Sequence, residues 1–337
     1  MDDQAIIAHY GNPLLPKESR EQPVVTFALF AFNQERFIRE AIEGAFAQTY
    51  SPLEIILTDD CSSDATPSIM EEMAAAYRGP HRIIVRRGLK NVGTLSHVLH
   101  ASRLAQGELF VVAAGDDISL PERTSIIVQA MSDPRYLAFS SDEVGIDEDF
   151  ARYPMAAAAV EERLRLHRAN PAWVHGATAA YRTDLVKGLP MPQSPILLED
   201  RVLTDVVTLM GKESIRSTEA LIYYRKHDGN LWNARKQALS VEEAEARSIV
   251  NFQRHAVAKQ YVIDLARHGG SDFPINDEVA RRFLSEHAYY DYMARWREIS
   301  FFERIRAISK IGSAHRYWHV LKRLFGYSVF LMLAKRR

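Results

Sequence analysis

The chain has 337 residues, 47% of them apolar, and 42 Lys and Arg against 43 Asp and Glu leave a net charge of -1. That length can bury a full core as one large α/β domain with an appendage, or as two domains, while the charge balance argues against a general nucleic-acid binder, which carries a basic excess or stripe. The single cysteine, Cys61, excludes an internal disulfide and points to a reducing, cytoplasmic compartment.

Residues 1–22 are polar and begin acidic, unlike a secretory signal or a membrane helix, and are expected to form a leader that packs loosely or is disordered. Residues 24–32, VVTFALFAF, are a continuous apolar run of strand length, as expected for a strand covered on both faces of a parallel sheet. After Asn33-Gln34-Glu35, the apolar spacing of Phe37, Ile38, Ala41, Ile42, Ala45 and Phe46 predicts a helix with one buried face, broken at Tyr50-Ser51-Pro52. Residues 53–58 are the second strand and run into Asp59-Asp60-Cys61-Ser62-Ser63-Asp64, where Ser63 or Asp64 is placed to cap a helix through Tyr77. Residues 83–86 predict a third strand, Asn91-Val92-Gly93 a turn, and 94–105 a helix ended by Gly107. His97 and His100 on that helix read as structural. The fourth strand, 109–113, runs straight into the adjacent acids Asp116 and Asp117 and then into Leu120-Pro121-Glu122-Arg123, a helix start with proline near its first turn.

Four alternations of strand and helix are the pattern of a doubly wound, mostly parallel sheet. Right-handed crossovers put the carboxyl ends of such strands on one edge, so Asn33, Asp59, Asp60, Asn91, Asp116 and Asp117 are expected on one rim, where open α/β sheets bind ligands. Two adjacent acids repel one another and stay ionised most readily when a divalent cation lies between them and a phosphate. The competing reading of Gly-Asp-Asp is an exposed turn that caps the next helix. Asp59 and Asp60 suit hydrogen bonds to a base edge or a ribose hydroxyl.

Residues 136–141 predict another strand. The acidic stretch 142–150 lacks the glycine and glutamate spacing of a calcium loop and is expected to be a solvated loop. Residues 151–169, rich in Ala and Arg, read as a helix or mobile loop. In WVHGATAAYR, 173–182, a strand or turn, Gly176 would let the backbone approach a ligand. Glu199 and Asp200 fall at the start of an apolar helix over 202–210, where capping of the helix dipole is the competing reading. Residues 221–224 are strand-like and lead into Arg225-Lys226-His227-Asp228-Gly229-Asn230. Arg182 and Lys226 read as phosphate contacts or surface solvation, and Cys61 as a small packing residue. From 241 onward the pattern is helical, over 241–266, 277–300 and 301–311. The segment 319–337 has an apolar centre bracketed by Lys322-Arg323 and Lys335-Arg336-Arg337. It is too short to span a bilayer but suits an interface with anionic lipid; a core or oligomer helix is the alternative.

In number, order and spacing, FAFNQERFIREAIEGAFAQTY with LEIILTDDCSSDAT, then KNVG, GELFVVAAGDDISLPER, HGATAAYR, LEDRVL and YYRKHDGN, resemble a family 2 glycosyltransferase over residues 24–232. The resemblance implies a GT-A fold, that is, an α/β, Rossmann-like, mostly parallel central sheet with flanking helices. The corresponding division is a leader at 1–22, the GT-A domain at 23–240 and a C-terminal helical extension at 241–337. It implies an inverting enzyme that takes a nucleotide sugar, most commonly a UDP-sugar, with Mn2+ or Mg2+, and passes the sugar to a glycan or lipid-linked acceptor in surface polysaccharide synthesis at the inner face of the membrane. Phe32, Asn33, Asp59, Asp60 and Asn91 would hold the nucleotide, Asp116, Gly176 and Glu199 the diphosphate and sugar, Asp117 and His227 the metal, and Asp200 would be the general base. Three positions depart from the family's common pattern: Phe30 stands where a proline is usual, Ala114 where a third acid is usual, and an asparagine often found near Leu99 is missing. A nucleotidyltransferase is disfavoured because FAFNQER has no glycine. A protein that kept the fold and lost catalysis, as a nucleotide-binding or membrane-surface scaffold, is the alternative from another class.

Overall fold

A computed structural model describes residues 5–12, 22–147, 151–154, 157–227, 230, 241–268, 277–300 and 302–304. The chain divides into two compact units, residues 1–234 and 235–337.

In the first unit, β1 (Ala5–Gly11), β2 (Val25–Ala31), α1 (Ile38–Phe46), β3 (Leu53–Asp59), α2 (Thr66–Ala76), β4 (Arg82–Gly88), α3 (Thr94–Leu104) and β5 (Leu109–Ala114) come first. They are followed by β6 (Ile118–Ser119), α4 (Arg123–Ala130), β7 (Tyr136–Ile146), β8 (Arg152–Pro154), α5 (Ala157–Ala169), β9 (Ala180–Arg182), α6 (Thr183–Lys187), α7 (Glu199–Leu209) and β10 (Glu213–Arg225). One sheet of ten strands runs β1-β4-β3-β2-β5-β9-β7-β10-β6, with β8 on β7. The β4-β3-β2-β5 block and the β7-β10 pair are parallel, whereas β1, β6, β8 and β9 pair antiparallel. The fold class expected from the sequence is therefore present.

Every residue of β2 and β3 except Phe30 is buried, because helices cover the sheet on both sides and leave no polar face to alternate with. Ile38, Ala41, Ile42 and Ala45 form the buried stripe of α1 and join Phe27, Leu29, Ile55, Leu57 and Val111 in the core. One polar residue inside β3 is neutralised in place: Glu54 Oε1 accepts from Thr26 Oγ1 and the Gln106 N–H, both at 3.0 Å, and Oε2 is ion-paired with Arg82 at 3.2 Å. Gly107 is reassigned by the same corner. The helix α3 already ends at Leu104, and a Cβ on Gly107 would lie 2.4 Å from the Thr26 backbone nitrogen, so the glycine permits a backbone crossing rather than stopping a helix.

Three expectations are corrected. The leader contains β1, whose seven residues pair with β4 from Ala5↔Gly88 to Gly11↔Arg82; without it the outer backbone groups of β4 would face solvent unpaired. The acidic stretch expected as a loop instead continues β7 through Ile146, because Asp142 is ion-paired with Arg216 and Glu143 with Arg163, which lets carboxylates sit in a sheet. Arg182 is no phosphate contact. It pairs with Leu109 at the amino end of β5 and donates to the carbonyls of Met131, Asp133 and Tyr136.

The second unit contains α8 (Val241–His268) and α9 (Asp277–Ala294). Tyr289, Met293, Trp296 and Ile299 form its apolar cluster, with Phe252 and Tyr290 against it. Lys259 is buried there, 2.8 Å from Glu286 Oε2 and over the Phe283 ring. Of the helix expected over 301–311, residues 302–304 are helical, and the basic-bracketed segment 319–337 lies outside the described residues. No described helix is long and apolar enough to cross a membrane.

Candidate active site

Loops at the carboxyl ends of β2, β3 and β4 build one side of the rim. Asn33 adopts a left-handed φ of 54°, its N–H donates to Ser62 Oγ at 2.8 Å, and its Oδ1 accepts from the Ser63 N–H at 2.9 Å. The Glu35 N–H donates to Asp64 Oδ2 at 3.0 Å and the Ala65 N–H to Glu35 Oε2 at 2.9 Å, so the two loops are laced together. Phe32 stands beside them with 46% of its surface exposed. Asp60 accepts from the N–H groups of Val92 and Gly93 at 3.1 and 3.2 Å, at the start of α3, and Asn91 Oδ1 accepts from the same Gly93 N–H. Burial pushes the Asp60 pKa up despite these bonds. Asp59 differs: Oδ2 accepts from the Ser62 N–H at 2.9 Å, while Oδ1 is buried with no hydrogen-bond partner. His97 is fully engaged in the interior, with Nε2 2.7 Å from Thr58 Oγ1 and the ring edge-on to Phe30, so Phe30 in place of a proline packs a structural histidine.

The acid pair follows β5 and is buried, Asp116 9% and Asp117 5% exposed, which rules out the solvated turn. Asp116 Oδ2 lies 3.0 Å from His227 Nε2, just beyond the end of β10, with Asn230 Nδ2 at 3.4 Å. Asp117 Oδ1 accepts the Arg225 N–H at 2.8 Å, and Arg225 Nε donates to the Asp116 carbonyl at 3.0 Å. Phe37, at the start of α1, backs this corner, its ring 4.6 Å from that of His227 and under the Arg225 guanidinium. Asp117 Oδ2 is buried and makes no hydrogen bond. Burial, then the neighbouring Asp116 charge, raises the Asp117 pKa well above the usual carboxylate range, against the Arg225 N–H and the Arg123 charge. Arg123 is itself buried, donating to Ser119 Oγ at 2.9 Å and the Val112 carbonyl at 2.7 Å; burial lowers its pKa to about 10.

The other side of the rim is built by the 3-10 turn Gly176–Thr178 and the first turn of α7. A Cβ on Gly176 would lie 3.1 Å from Asp200 Cβ and 3.4 Å from both Asp200 Cγ and Glu199 Oε1. The glycine therefore admits the two acids to the turn, rather than a ligand directly. Burial and the Asp200 charge push Glu199 up to about 7. Next to Gly176, His175 lies 3.4 Å from Glu143 Oε2, and burial followed by the Arg163 charge holds its pKa down at about 3, so the imidazole is neutral.

The donor set suits a hard divalent cation of the kind that is held by one or two carboxylates and completed by substrate phosphates. A buried carboxylate oxygen without a partner, beside a second acid, is the feature such an ion would satisfy. Among the described residues no three His, Cys, Asp or Glu side chains converge as a finished cage, and His227 is bonded to Asp116 rather than Asp117.

Residues 26–188 match the sequence model of Glycosyl transferase family 2. The chain carries a family 2 glycosyltransferase domain. Its α/β fold is GT-A. It superposes with a TM-score of 0.55 on the mannosyltransferase PcManGT from Pyrobaculum calidifontis, solved with GDP-Man and Mn2+, at 18% identity over 89% of this chain and 79% of that one. The score is 0.53 on S. aureus TarS 1-349 solved with UDP-GlcNAc, at 17% identity over 85% of this chain and 79% of that one. Among curated relatives, an uncharacterized protein of Mycobacterium tuberculosis is 42% identical over 88 residues, 26% of this chain and 25% of that protein. The chain thus matches about a quarter of that relative's length. The putative glycosyltransferase EpsE of Bacillus subtilis is 27% identical over 66% of this chain and 80% of its own. The succinoglycan biosynthesis protein ExoO of Rhizobium meliloti is 32% identical over 32% of this chain and 29% of its own.

Sequence reading of the family 2 domain missed Arg123, Glu143, Arg163 and His175. The first three are charged residues whose partners come from elsewhere in the chain, so no local pattern announces them. Arg123 alone left a signal, an arginine directly after the Pro121 helix start, but its burial is set by β5 and the 176–178 turn meeting above it.

Proposed function

We propose that the domain is an inverting glycosyltransferase that moves a sugar from a nucleoside-diphosphate donor, a UDP-sugar, to a hydroxyl of a glycan or lipid-linked acceptor in surface polysaccharide synthesis. The observation that carries this reading is the buried acid pair with an oxygen left unpartnered, on the same rim as Asp200 packed against Gly176. The nucleotide would lie along Phe32, Asn33, Asp59, Asp60 and Asn91, where the buried unpartnered oxygen of Asp59 is an acceptor for a base N–H or ribose hydroxyl. Asp116 and Asp117 would hold Mn2+ or Mg2+ together with His227, and the ion would supply positive charge to the departing diphosphate. Asp200 would take the proton of the acceptor hydroxyl as its oxygen attacks the anomeric carbon, and the bond from that carbon to the phosphate oxygen would break on the opposite face. One base and one displacement give inversion. The name of EpsE supports glycosyl transfer, that of the succinoglycan biosynthesis protein ExoO supports polysaccharide synthesis, and the ligands in the PcManGT and TarS structures support a nucleotide sugar.

The test is a panel of UDP- and GDP-sugars with Mn2+ or Mg2+, scored by donor hydrolysis and by the anomeric configuration of any transfer product. Turnover by the wild type, lost in Asp117→Ala and in Asp200→Asn, is the expected result. Absence of both turnover and nucleotide binding across the panel would refute the proposal.

A further inference from the structure

Tyr224 is a phenol to which the transfer reading gives no task. It sits one residue before the end of β10, opposite Gly145 of β7, and its neighbour Arg225 donates the backbone N–H that holds Asp117 Oδ1 at 2.8 Å. On its other side the ring centroid is 6.1 Å from that of His175, which precedes the glycine against which Asp200 packs. Strand alternation separates it from Tyr223, whose ring lies under the Arg152 guanidinium at 4.7 Å. Tyr224 thus adjoins, along the strand, the residue that holds Asp117 and, through its ring, the histidine that precedes Gly176.

Its side chain is half-buried, and its hydroxyl makes no hydrogen bond to any described residue. The carboxylates around it are engaged elsewhere: Glu143 on Arg163, Asp116 on His227, and Asp117 on the Arg225 amide through one oxygen. Burial and the charges of Asp117, Asp116 and Glu143 raise the phenol pKa, so the O–H is retained throughout the working range. Asp117 Oδ2 is open but takes no hydrogen bond from the phenol, so the half-buried hydroxyl is left to an anionic oxygen of a ligand. Beside the acid pair, whose charges reach the phenol, the anionic oxygen that the transfer reading supplies is that of a diphosphate.

We propose that the Tyr224 hydroxyl donates a hydrogen bond to the diphosphate of the nucleotide donor, at the oxygen that takes up charge as the sugar leaves. This deepens the transfer reading of the same site and rests on it. When the anomeric C–O bond breaks, its electron pair passes to the phosphate oxygen, and the phenol keeps its proton while the hydrogen bond to that oxygen strengthens. Tyr224 therefore contributes to binding of the product nucleoside diphosphate and more to the transition state.

The experiment is calorimetric titration of the wild type and Tyr224→Phe with UDP and UMP, and with GDP and GMP, in Mn2+, alongside thermal melts. Removing one hydrogen bond to a charged oxygen weakens binding about 10- to 100-fold, so the phenylalanine variant should bind the diphosphate at least tenfold more weakly. Monophosphate affinity should stay within twofold, and Tm should be unchanged. Equal diphosphate affinity in both proteins overturns the Tyr224 assignment alone. Parallel weakening of mono- and diphosphate with a lowered Tm also overturns it, because that is the signature of a packing role. A wild type that binds no nucleotide overturns the transfer reading and this assignment with it.

Discussion

Gly176→Ala isolates the position of the proposed base, because it adds one methyl group to a turn whose backbone an alanine can adopt. The new Cβ would stand 3.1 Å from Asp200 Cβ and 3.4 Å from Glu199 Oε1. Carbon atoms in relaxed contact are ~3.5–4.0 Å apart, so Asp200 must retreat by roughly half an ångström. A misplacement of about 1 Å in a reacting group costs on the order of 100-fold in rate, so half of that corresponds to ~10-fold, or ~1.4 kcal/mol of barrier. Stability should barely change, since the alanine also restricts the unfolded chain, a gain of about 0.4–1 kcal/mol that offsets the local crowding. The assay is single-turnover sugar transfer with saturating donor, with nucleotide affinity and Tm measured on the same preparations. A rate within twofold of wild type, or a loss carried wholly by nucleotide affinity, would refute the view that this glycine sets the position of Asp200.

Three further outcomes follow from the geometry. Glu199 is raised from an ordinary value of 4.5 to about 7 in the folded protein, so the folded state holds a proton that the unfolded chain has released between those pH values. Its contribution to stability is full below pH 4.5 and is lost as pH rises through 7; urea midpoints should fall across that window, and Glu199→Gln should flatten the slope. Arg123→Met leaves the Val112 carbonyl and Ser119 Oγ without their buried donor, with an expected loss of about 2–5 kcal/mol by urea unfolding; a loss under about 1 kcal/mol would show that water replaces the guanidinium. His227→Ala removes the partner of Asp116 at 3.0 Å and should weaken Mn2+ binding, measured in the presence of UDP, by about 10- to 100-fold. Unchanged Mn2+ affinity would remove His227 from the metal site.

The strand-helix alternation was legible because β2, β3 and β5 are strand-length, predominantly apolar runs of the kind a doubly covered sheet accommodates, and each ends in a polar cluster. The same regularity put Asn33, Asp59, Asp60 and the acid pair on a common rim. β1 was not legible, since a short strand on a sheet edge has one exposed face and its identity depends on the β4 backbone beside it. Nor was the course of β7 beyond Ser141, because Asp142 and Glu143 read as solvent-facing until Arg216 and Arg163 neutralise them.

The sequence by itself determined the order of the elements and which edge of the sheet gathers the polar strand-end residues, because periodicity and strand-end polarity are local properties of the chain. The tertiary structure alone decided how the rim residues are spent. It turned Asp60 toward the α3 amides, left one oxygen of Asp59 and one of Asp117 buried and unpartnered, set His227 on Asp116, and made Gly176 the seat of Asp200. These are contacts between residues up to 111 positions apart, and burial together with charge, which no local pattern specifies, determines what each can do.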